Sequence, residues 1–218
     1  MTIKIVKNDK NKYTSLFINL IIFFLLLPLS DYIKHADFLF PLSLFLIIIF
    51  AIKTLNFPQK IIKLFFILTA LSFFTNLLNL YDQSGISRLL TFVTNIFDII
   101  FLTLSILSIY HKINSETKVN NDVLRGGVCI YLMLGIIWYL FYTIIYFFDI
   151  NAFHFPDYRS SSENINLFYF SFVTLTTVGY GDITPVNNFA MIFSNLEGLF
   201  GQLFPAISIA TLVSLYKK

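Results

Sequence analysis

The chain alternates long apolar runs with short polar breaks. The runs predicted to be membrane helices are residues 13–30, 38–55, 61–80, 89–110, 128–148 and 189–215. An α-helix of about 20 apolar residues crosses the roughly 30 Å of hydrocarbon in a bilayer. We therefore predict an all-α membrane protein with six transmembrane helices.

A further apolar run, Ile165–Thr176, lies between the fifth and sixth predicted spans. It is too short to cross a bilayer, so we predict a half-membrane helix that enters and leaves on the same side. Ser162 or Asn164 is a candidate cap for its amino end, because both residue types accept hydrogen bonds from the first free backbone amides.

Composition supports a membrane protein and excludes several other classes. Of the 218 residues, 57% are hydrophobic and 12% are charged, and the mean hydropathy is +0.77. The net charge of +3 is too small to indicate nucleic-acid binding. Cys129 is the only cysteine, which excludes a disulfide within the chain. The three histidines are far apart in sequence, so we predict no metal site.

The polar stretches divide the chain into four parts. Residues 1–12 are a basic amino-terminal tail, residues 13–110 a four-helix membrane domain, and residues 111–127 a polar linker. The remaining residues, 128–218, contain the last two spans and the short run between them. We predict that the linker separates two domains.

The basic residues are distributed unequally between the two predicted sides of the membrane. With six spans, both termini lie on one side of the membrane, and twelve basic residues lie on that side or at the helix ends that border it. Three lie on the opposite side. Because Lys and Arg accumulate in cytoplasmic loops, we predict that both termini are cytoplasmic. The loop between the fifth and sixth spans then opens to the outside.

The short apolar run is followed by Thr177-Val-Gly-Tyr-Gly-Asp182, which we call the filter loop. Glycine adopts at no steric cost the left-handed backbone conformations that other residues avoid, so the backbone around Gly179 and Gly181 can turn successive carbonyls one way. Val178 and Tyr180 can then point away into supporting packing, and the Thr177 hydroxyl can add one more oxygen. Such a row of oxygens can replace the water shell of a cation.

With this motif, residues 128–218 resemble the pore module of the two-transmembrane ion-channel family, and the motif followed by Pro185 is similar to that of bacterial potassium channels. The resemblance implies an ion-binding selectivity filter formed by Thr177, Val178, Gly179, Tyr180 and Gly181, with K⁺ at residues 177–180. It also implies support of the filter by neighbouring residues, including Thr176. The single copy of the motif implies a homotetramer. The resemblance also implies a plasma-membrane location, lipid and K⁺ as partners, and no cofactor other than the K⁺ ions.

The sequence departs from the family pattern in three ways. Val173 stands where many members have a pore-helix Glu that bonds the residue matching Asp182. Tyr169 and Phe170 stand where the aromatic pair that supports the filter is often Trp. Glu197 replaces an apolar residue of the inner helix. It either replaces the missing Glu behind the filter or forms a hydrogen bond between helices.

The last span contains three candidates for a bend. Gly201 matches the hinge glycine of the family, and Gly198 precedes it by one turn. Close packing of small residues explains these glycines equally well. Pro205 lacks a backbone donor and could bend the helix. Asp98, in the fourth span, is the other acid at membrane depth, and we predict a hydrogen bond between helices for it.

A voltage sensor needs several basic residues in the fourth span, because their movement through the membrane field supplies the gating energy. The fourth span has no Lys or Arg after Arg88. We therefore predict a potassium-selective channel without strong voltage gating. A weakly selective cation channel is the alternative. A membrane receptor or enzyme is a third, although no metalloprotease, nucleophile-elbow or nucleotide-loop motif is present, and we expect no enzymatic activity.

Overall fold

A computed structural model describes residues 13–27, 38–52, 59–81, 85–116, 120–156 and 163–216. These residues form seven α-helices and one pair of two-residue strands, which confirms the predicted all-helical fold. The elements are α1 (Thr14–Leu26), α2 (Leu39–Ile52), α3 (Gln59–Tyr81), α4 (Gly85–Ser115), α5 (Asn121–Phe148), β1 (Phe153–His154), α6 (Glu163–Leu175), β2 (Thr184–Pro185) and α7 (Asn188–Tyr216). The predicted tail 1–12 and Ser162 lie outside the described residues.

Three of the helices are long and apolar enough to cross a membrane. They are α3 over Gln59–Leu78, α4 and α5. The two amino-terminal helices are apolar but span only 13 and 14 residues within the described ranges. At 1.5 Å per residue they measure about 20 Å, less than the hydrocarbon thickness. The number of six spans therefore stays a prediction.

The predicted linker 111–127 is mostly helical. The helix before it continues to Ser115, and the helix after it already begins at Asn121. The side chain of Asn120 accepts hydrogen bonds from the amides of Asp122 and Val123, both at 2.9 Å, and so caps the new helix. The polar stretch therefore contains the end of one helix and the start of the next, and its role as a domain boundary stays a prediction.

Aromatic side chains hold the first two helices against the short helix α6. The ring of Phe168 on α6 lies 5.0 Å from that of Phe23 and 5.9 Å from that of Phe40. Phe24 contacts Phe172, one turn further along α6, at 4.8 Å. Edge-to-face aromatic contacts of this kind add about 0.5–1.5 kcal/mol each beyond the burial of their surface. The four-helix part and the carboxyl-terminal part therefore share one core.

Contacts between helix ends show which elements share one end of the bundle. The amide of Tyr13 donates to Asp122 Oδ1 at 3.1 Å, and Arg125 Nη1 donates to Thr14 Oγ1 at 2.7 Å. The starts of α1 and α5 are thus adjacent. The strand pair follows the opposite end of α5, so it lies at the other end of the bundle.

Candidate functional site: the filter loop and its supports

The filter loop folds back along the helix that precedes it. The amide of Thr177 donates to the carbonyl of Thr174 at 2.9 Å. The amides of Val178 and Gly179 both donate to the carbonyl of Val173, at 3.0 and 3.3 Å. The last carbonyls of a helix have no partner within the helix. Here the filter loop supplies these partners, so Val173 supports the loop through its backbone.

The backbone of the filter loop takes positive φ angles at every second residue. They are 58° at Thr177, 58° at Gly179 and 76° at Gly181. Alternation between left-handed and right-handed conformations directs successive peptide groups to the same side. For Thr177, a residue with a Cβ, the left-handed conformation costs about 1–2 kcal/mol, which the surrounding hydrogen bonds offset.

The side chains of the filter loop lie on the surface of the single chain. Val178 is 52% exposed and Tyr180 is 71% exposed. The ring of Tyr180 stacks on that of Tyr169, with centroids 6.4 Å apart and an angle of 6° between the planes. One face of the Tyr180 ring is therefore supported by its own chain, and its other face is available for contact.

Asp182 has a hydrogen-bond donor on the short helix, although Val173 cannot provide one. Tyr169 Oη donates to Asp182 Oδ2 at 2.9 Å, and the amide of Ile183 donates to Oδ1 at 3.0 Å. Tyr169 lies one helical turn before Val173, so its longer side chain reaches the same region. Asp182 thus lacks the Glu partner that is usual in the family, and Tyr169 bonds it instead.

Phe170 does not contact the filter loop of its own chain. It is buried against Tyr142 at 5.0 Å and Phe153 at 5.3 Å between ring centroids. Successive residues of an α-helix point about 100° apart, so only one of two neighbours can face the loop. Tyr169 takes that position within one chain, and the support of the filter by Phe170 stays a prediction.

Glu197 lies in the centre of a contact between three helices. It is fully buried on α7 and accepts hydrogen bonds from Tyr142 Oη of α5 and from Ser171 Oγ of α6, the latter at 2.6 Å. The Ser171 hydroxyl also lies 2.8 Å from the carbonyl oxygen of Gly135. Of the two readings of Glu197, this geometry favours the bond between helices, with no contact to Asp182.

Gly201 occurs where α7 approaches the end of α6 most closely. A Cβ at Gly201 would lie 1.8 Å from the carbonyl oxygen of Leu175, which is a backbone atom and cannot turn away. The same oxygen accepts a hydrogen bond from Tyr131 Oη at 3.2 Å. A Cβ at Gly198 would meet no atom within 4 Å. Close packing therefore explains Gly201 but not Gly198 within one chain.

Pro205 lies inside α7, which is continuous from Asn188 to Tyr216. A proline has no amide hydrogen, so the carbonyl of Gly201, four residues earlier, receives no helical hydrogen bond from it. The tightly packed Gly201 and the missing hydrogen bond to its carbonyl thus lie in the same turn of α7. A hinge at this turn stays a prediction.

Backbone hydrogen bonds join the segments on either side of α6 and the filter loop. Phe153 pairs with Pro185 and His154 with Thr184, and the amide of Val186 donates to the carbonyl of Ala152 at 2.8 Å. Asn187 caps α7 through its Oδ1, which accepts from the amide of Ala190 at 2.8 Å, and its Nδ2 donates to Asp149 at 2.7 Å. The segments before α6 and after the filter loop are thereby joined.

The comparison with known families agrees with this arrangement of α5, α6, the filter loop and α7. Residues 128–218 match the family model described as ion channel. Residues 128–218 are therefore similar to an ion channel module, and we call them the ion channel module after this match. No curated protein matches the sequence. The module accounts for the carboxyl-terminal part of the chain, and the match does not extend to the first four helices.

Several residues of the module were not singled out from the sequence. They are Tyr131, Gly135, Tyr142 and Ser171, all of which contact α6 or α7 through polar atoms or close approach. Each is a polar or small residue within an apolar run, which is the signal that could have indicated them. Their partners could not be read from sequence, because the pairs are 26 to 55 residues apart.

Within the described ranges, no group of three His, Cys, Asp or Glu side chains is arranged to hold a metal ion. The filter loop offers backbone carbonyls and the Thr177 hydroxyl, which are neutral oxygen ligands. Such ligands suit a weakly solvated monovalent cation that passes through.

Proposed function

We propose that the chain is a subunit of a potassium-selective channel that conducts K⁺ passively across the plasma membrane. The observation that carries the proposal is the alternation of positive φ angles at residues 177, 179 and 181 within the Thr-Val-Gly-Tyr-Gly sequence. A backbone with this alternation can present successive carbonyl oxygens on one side. A K⁺ ion can exchange its water shell for these oxygens without a large change in energy.

The attachment of the filter loop supports a narrow and well-defined ion path. Its amides bond the end of α6, Tyr180 stacks on Tyr169, and Tyr169 in turn bonds Asp182. Non-helical backbone at membrane depth is tolerated where it is buried in protein or lines a water-filled path. In the proposed channel, Thr177 to Tyr180 bind the K⁺ ions, and the remaining contacts hold these residues in place.

A homotetramer follows from the fact that one chain supplies one filter loop. A single row of carbonyls cannot surround an ion, and the four rows of a potassium filter must come from four chains. The exposure of Val178 and Tyr180 supports this, because neighbouring subunits would cover these apolar side chains. We propose that the exposed face of α7, including Leu199 and Leu203, faces the pore or the adjacent subunits.

The proposed channel is oriented with both termini in the cytoplasm and the filter mouth outside. The unequal distribution of basic residues supports this orientation. The absence of Lys and Arg between Arg88 and Lys112 supports gating without strong voltage dependence.

The test is K⁺ flux from liposomes that contain the purified protein. We expect K⁺ efflux that barium blocks, and a reversal potential close to the K⁺ equilibrium potential in mixed K⁺ and Na⁺. A reversal potential that lies between the two equilibrium potentials would favour the weakly selective cation channel. Absence of flux together with a monomeric particle would contradict both.

A further inference from the structure

The first four helices contain a buried acid that the ion channel module does not explain. Asp98 of α4 is 8% exposed and lies at the depth of the apolar core. Ser72 Oγ of α3 donates to Asp98 Oδ2 at 2.5 Å, and it is the only donor that the described part of the chain provides for this carboxyl. An acid at membrane depth with so few partners is costly, and such residues commonly have a function.

The side chains near Asp98 carry oxygen ligands rather than positive charges. The hydroxyls of Thr75 and Thr94 lie 3.1 Å apart on the facing sides of α3 and α4. Asn95 donates from Nδ2 to Thr143 Oγ1 at 3.0 Å, which leaves Oδ1 as the acceptor of its amide. Together with Ser72, these residues form a polar stripe along the contact between the two helices.

Two cavities meet at this stripe. The inner cavity, of about 10 Å³, is lined by Asp98, Ser72, Asn76 and Asn95 on its polar side. The outer cavity, of about 130 Å³, is lined by Arg88, Thr91, Asn95, Thr143, Glu163 and Asn164 among others. Asn95 lines both. Because the start of α6 lines the outer cavity, that cavity lies at the end of the bundle that carries the strand pair.

We propose that Asp98 and the hydroxyl and amide oxygens around it bind a monovalent metal cation, which enters through the outer cavity. Carboxylate, hydroxyl and amide oxygens are the ligands that hard cations prefer. A volume of about 10 Å³ holds one particle of the size of a water molecule, which excludes an organic cation. One carboxylate balances a single positive charge, and none of the described Lys and Arg residues lines the inner cavity.

The two charged groups of the outer cavity do not replace the cation. Arg88 and Glu163 lie beyond Asn95, on the outer side of the stripe, and the inner cavity borders neither of them. Tyr139, the other titratable residue at the inner cavity, is neutral in its usual state. Among the residues that the structure describes, Asp98 therefore provides the only carboxyl group at this cavity.

The bound cation would stabilise the contact between the first four helices and the ion channel module. Asp98 and Asn95 lie one turn apart on α4, and Asn95 bonds Thr143 of α5, which belongs to the module. A ligand that binds only the folded state raises the stability of that state. The cation site therefore gives the first four helices a role that does not depend on the filter.

The test is the thermal stability of the purified full-length chain in lipid nanodiscs, with Na⁺ as the probe. The K⁺ concentration is held constant, and NaCl replaces N-methyl-D-glucamine chloride at fixed ionic strength. We expect a saturable rise in Tm of about 2–4 °C at Na⁺ concentrations several times the dissociation constant. A Tm that does not change with Na⁺ would overturn the proposal.

Two substitutions locate the effect, and a third serves as the matched control. Asp98→Asn should abolish the Na⁺-dependent rise, and Ser72→Ala should weaken it. Ser105→Ala removes another buried hydroxyl of α4, which bonds only the carbonyl of Phe101 at 3.0 Å, and should leave the rise unchanged.

Each remaining outcome is decisive. A rise that persists in Asp98→Asn would place the effect elsewhere and contradict the site. If acidification stabilises the wild type but Na⁺ does not, a proton neutralises Asp98 and the cation site is wrong. If Asp98→Asn does not fold, the Na⁺-dependent rise in Tm is compared between Ser72→Ala and Ser105→Ala. A rise as large in Ser72→Ala as in Ser105→Ala would contradict the site. K⁺ flux is not used, so failure of this proposal is distinct from failure of the proposed channel.

Discussion

Tyr169 contacts the filter loop at two points, through its hydroxyl and through its ring. The hydroxyl bonds Asp182 at 2.9 Å, and the ring stacks on Tyr180. A hydrogen bond to a charged group contributes about 1.5–3 kcal/mol, and stacking contributes about 0.5–1.5 kcal/mol. The two contacts can be separated, because Phe keeps the ring and removes the hydroxyl.

The substitution Tyr169→Phe should therefore weaken the outer part of the filter loop without unfolding the protein. We expect preserved K⁺ preference, because the carbonyls of residues 177–180 are unchanged, but a several-fold faster loss of current during sustained conduction. Planar-bilayer recordings measure both. Tyr110→Phe, at an exposed tyrosine of α4, is the matched control. A current that decays as slowly in Tyr169→Phe as in the wild type would show that the hydroxyl contributes nothing.

Gly201 and Gly198 form a second pair that can be compared on one helix. A Cβ at Gly201 would overlap the carbonyl oxygen of Leu175, and relieving this overlap requires α7 to move away from α6. Overpacking of this kind costs about 1–3 kcal/mol or more. Ala at Gly198 meets no atom of its own chain and gains about 0.5–1 kcal/mol from helix propensity.

We accordingly expect Gly201→Ala to lower Tm by several degrees and to reduce K⁺ flux strongly, whereas Gly198→Ala retains both. Thermal unfolding in K⁺ and liposome flux are the measurements. Equal effects of the two substitutions would contradict close packing as the reason for Gly201 and would favour flexibility shared by both glycines.

At the scale of the elements, α6 is held by polar contacts on two sides. Ser171 and Tyr142 bond Glu197 of α7, and the carbonyl of Leu175 bonds Tyr131 of α5. Truncation of the carboxyl group at position 197 would leave the buried Tyr142 hydroxyl without its acceptor, at a cost of about 1–3 kcal/mol, whereas Ser171 can still donate to the carbonyl of Gly135.

Glu197→Ala should therefore destabilise the protein by about 2–5 kcal/mol, from the lost hydrogen bonds and the cavity. Glu197→Gln keeps the volume and one acceptor oxygen, so we expect it to lose much less. Chemical or thermal unfolding in a constant K⁺ concentration compares the two. A Glu197→Ala variant as stable as the wild type would show that the contact between the three helices is not required.

The elements also show how far the sequence alone can be interpreted. Apolar runs predict the cores of α3, α4, α5 and α7, because burial in lipid imposes their composition. The helix ends were predicted less accurately. Asn164 lies inside α6 instead of capping it, and α5 starts within the predicted linker, where Asn120 caps it. Two-residue strands carry no periodic signal, so β1 and β2 were not predicted.

The contacts of the filter loop were predicted only in part for a similar reason. The positive φ angles at Gly179 and Gly181 follow from the residue type, and the structure has them. The donor to Asp182 depends on which face of α6 points to the loop, and sequence spacing does not determine that face when the usual residue is replaced. The sequence therefore indicated Tyr169 as an aromatic support of the filter, and the structure identified it as the donor to Asp182.

At the scale of the whole molecule, the helix ends group into two sets. The starts of α1 and α5 contact each other at one end, and the outer cavity and the strand pair lie at the other. The charge distribution predicts that α1 and α5 start on the same side of the membrane, and this grouping agrees with it. Geometry fixes which ends are together, and the charges indicate which of the two faces the cytoplasm.

Labelling with a membrane-impermeant maleimide tests this orientation. Cys129, the native cysteine, is buried and should give little background, and Cys129→Ala removes it entirely. In that background, Asn151→Cys places a thiol at an exposed position beside the strand pair, and Ser115→Cys places one at the exposed end of α4. We expect Asn151→Cys to react in intact cells and Ser115→Cys to react only after permeabilisation. The reverse pattern would invert the orientation, place the filter mouth in the cytoplasm, and show that the basic residues do not determine the topology of this protein.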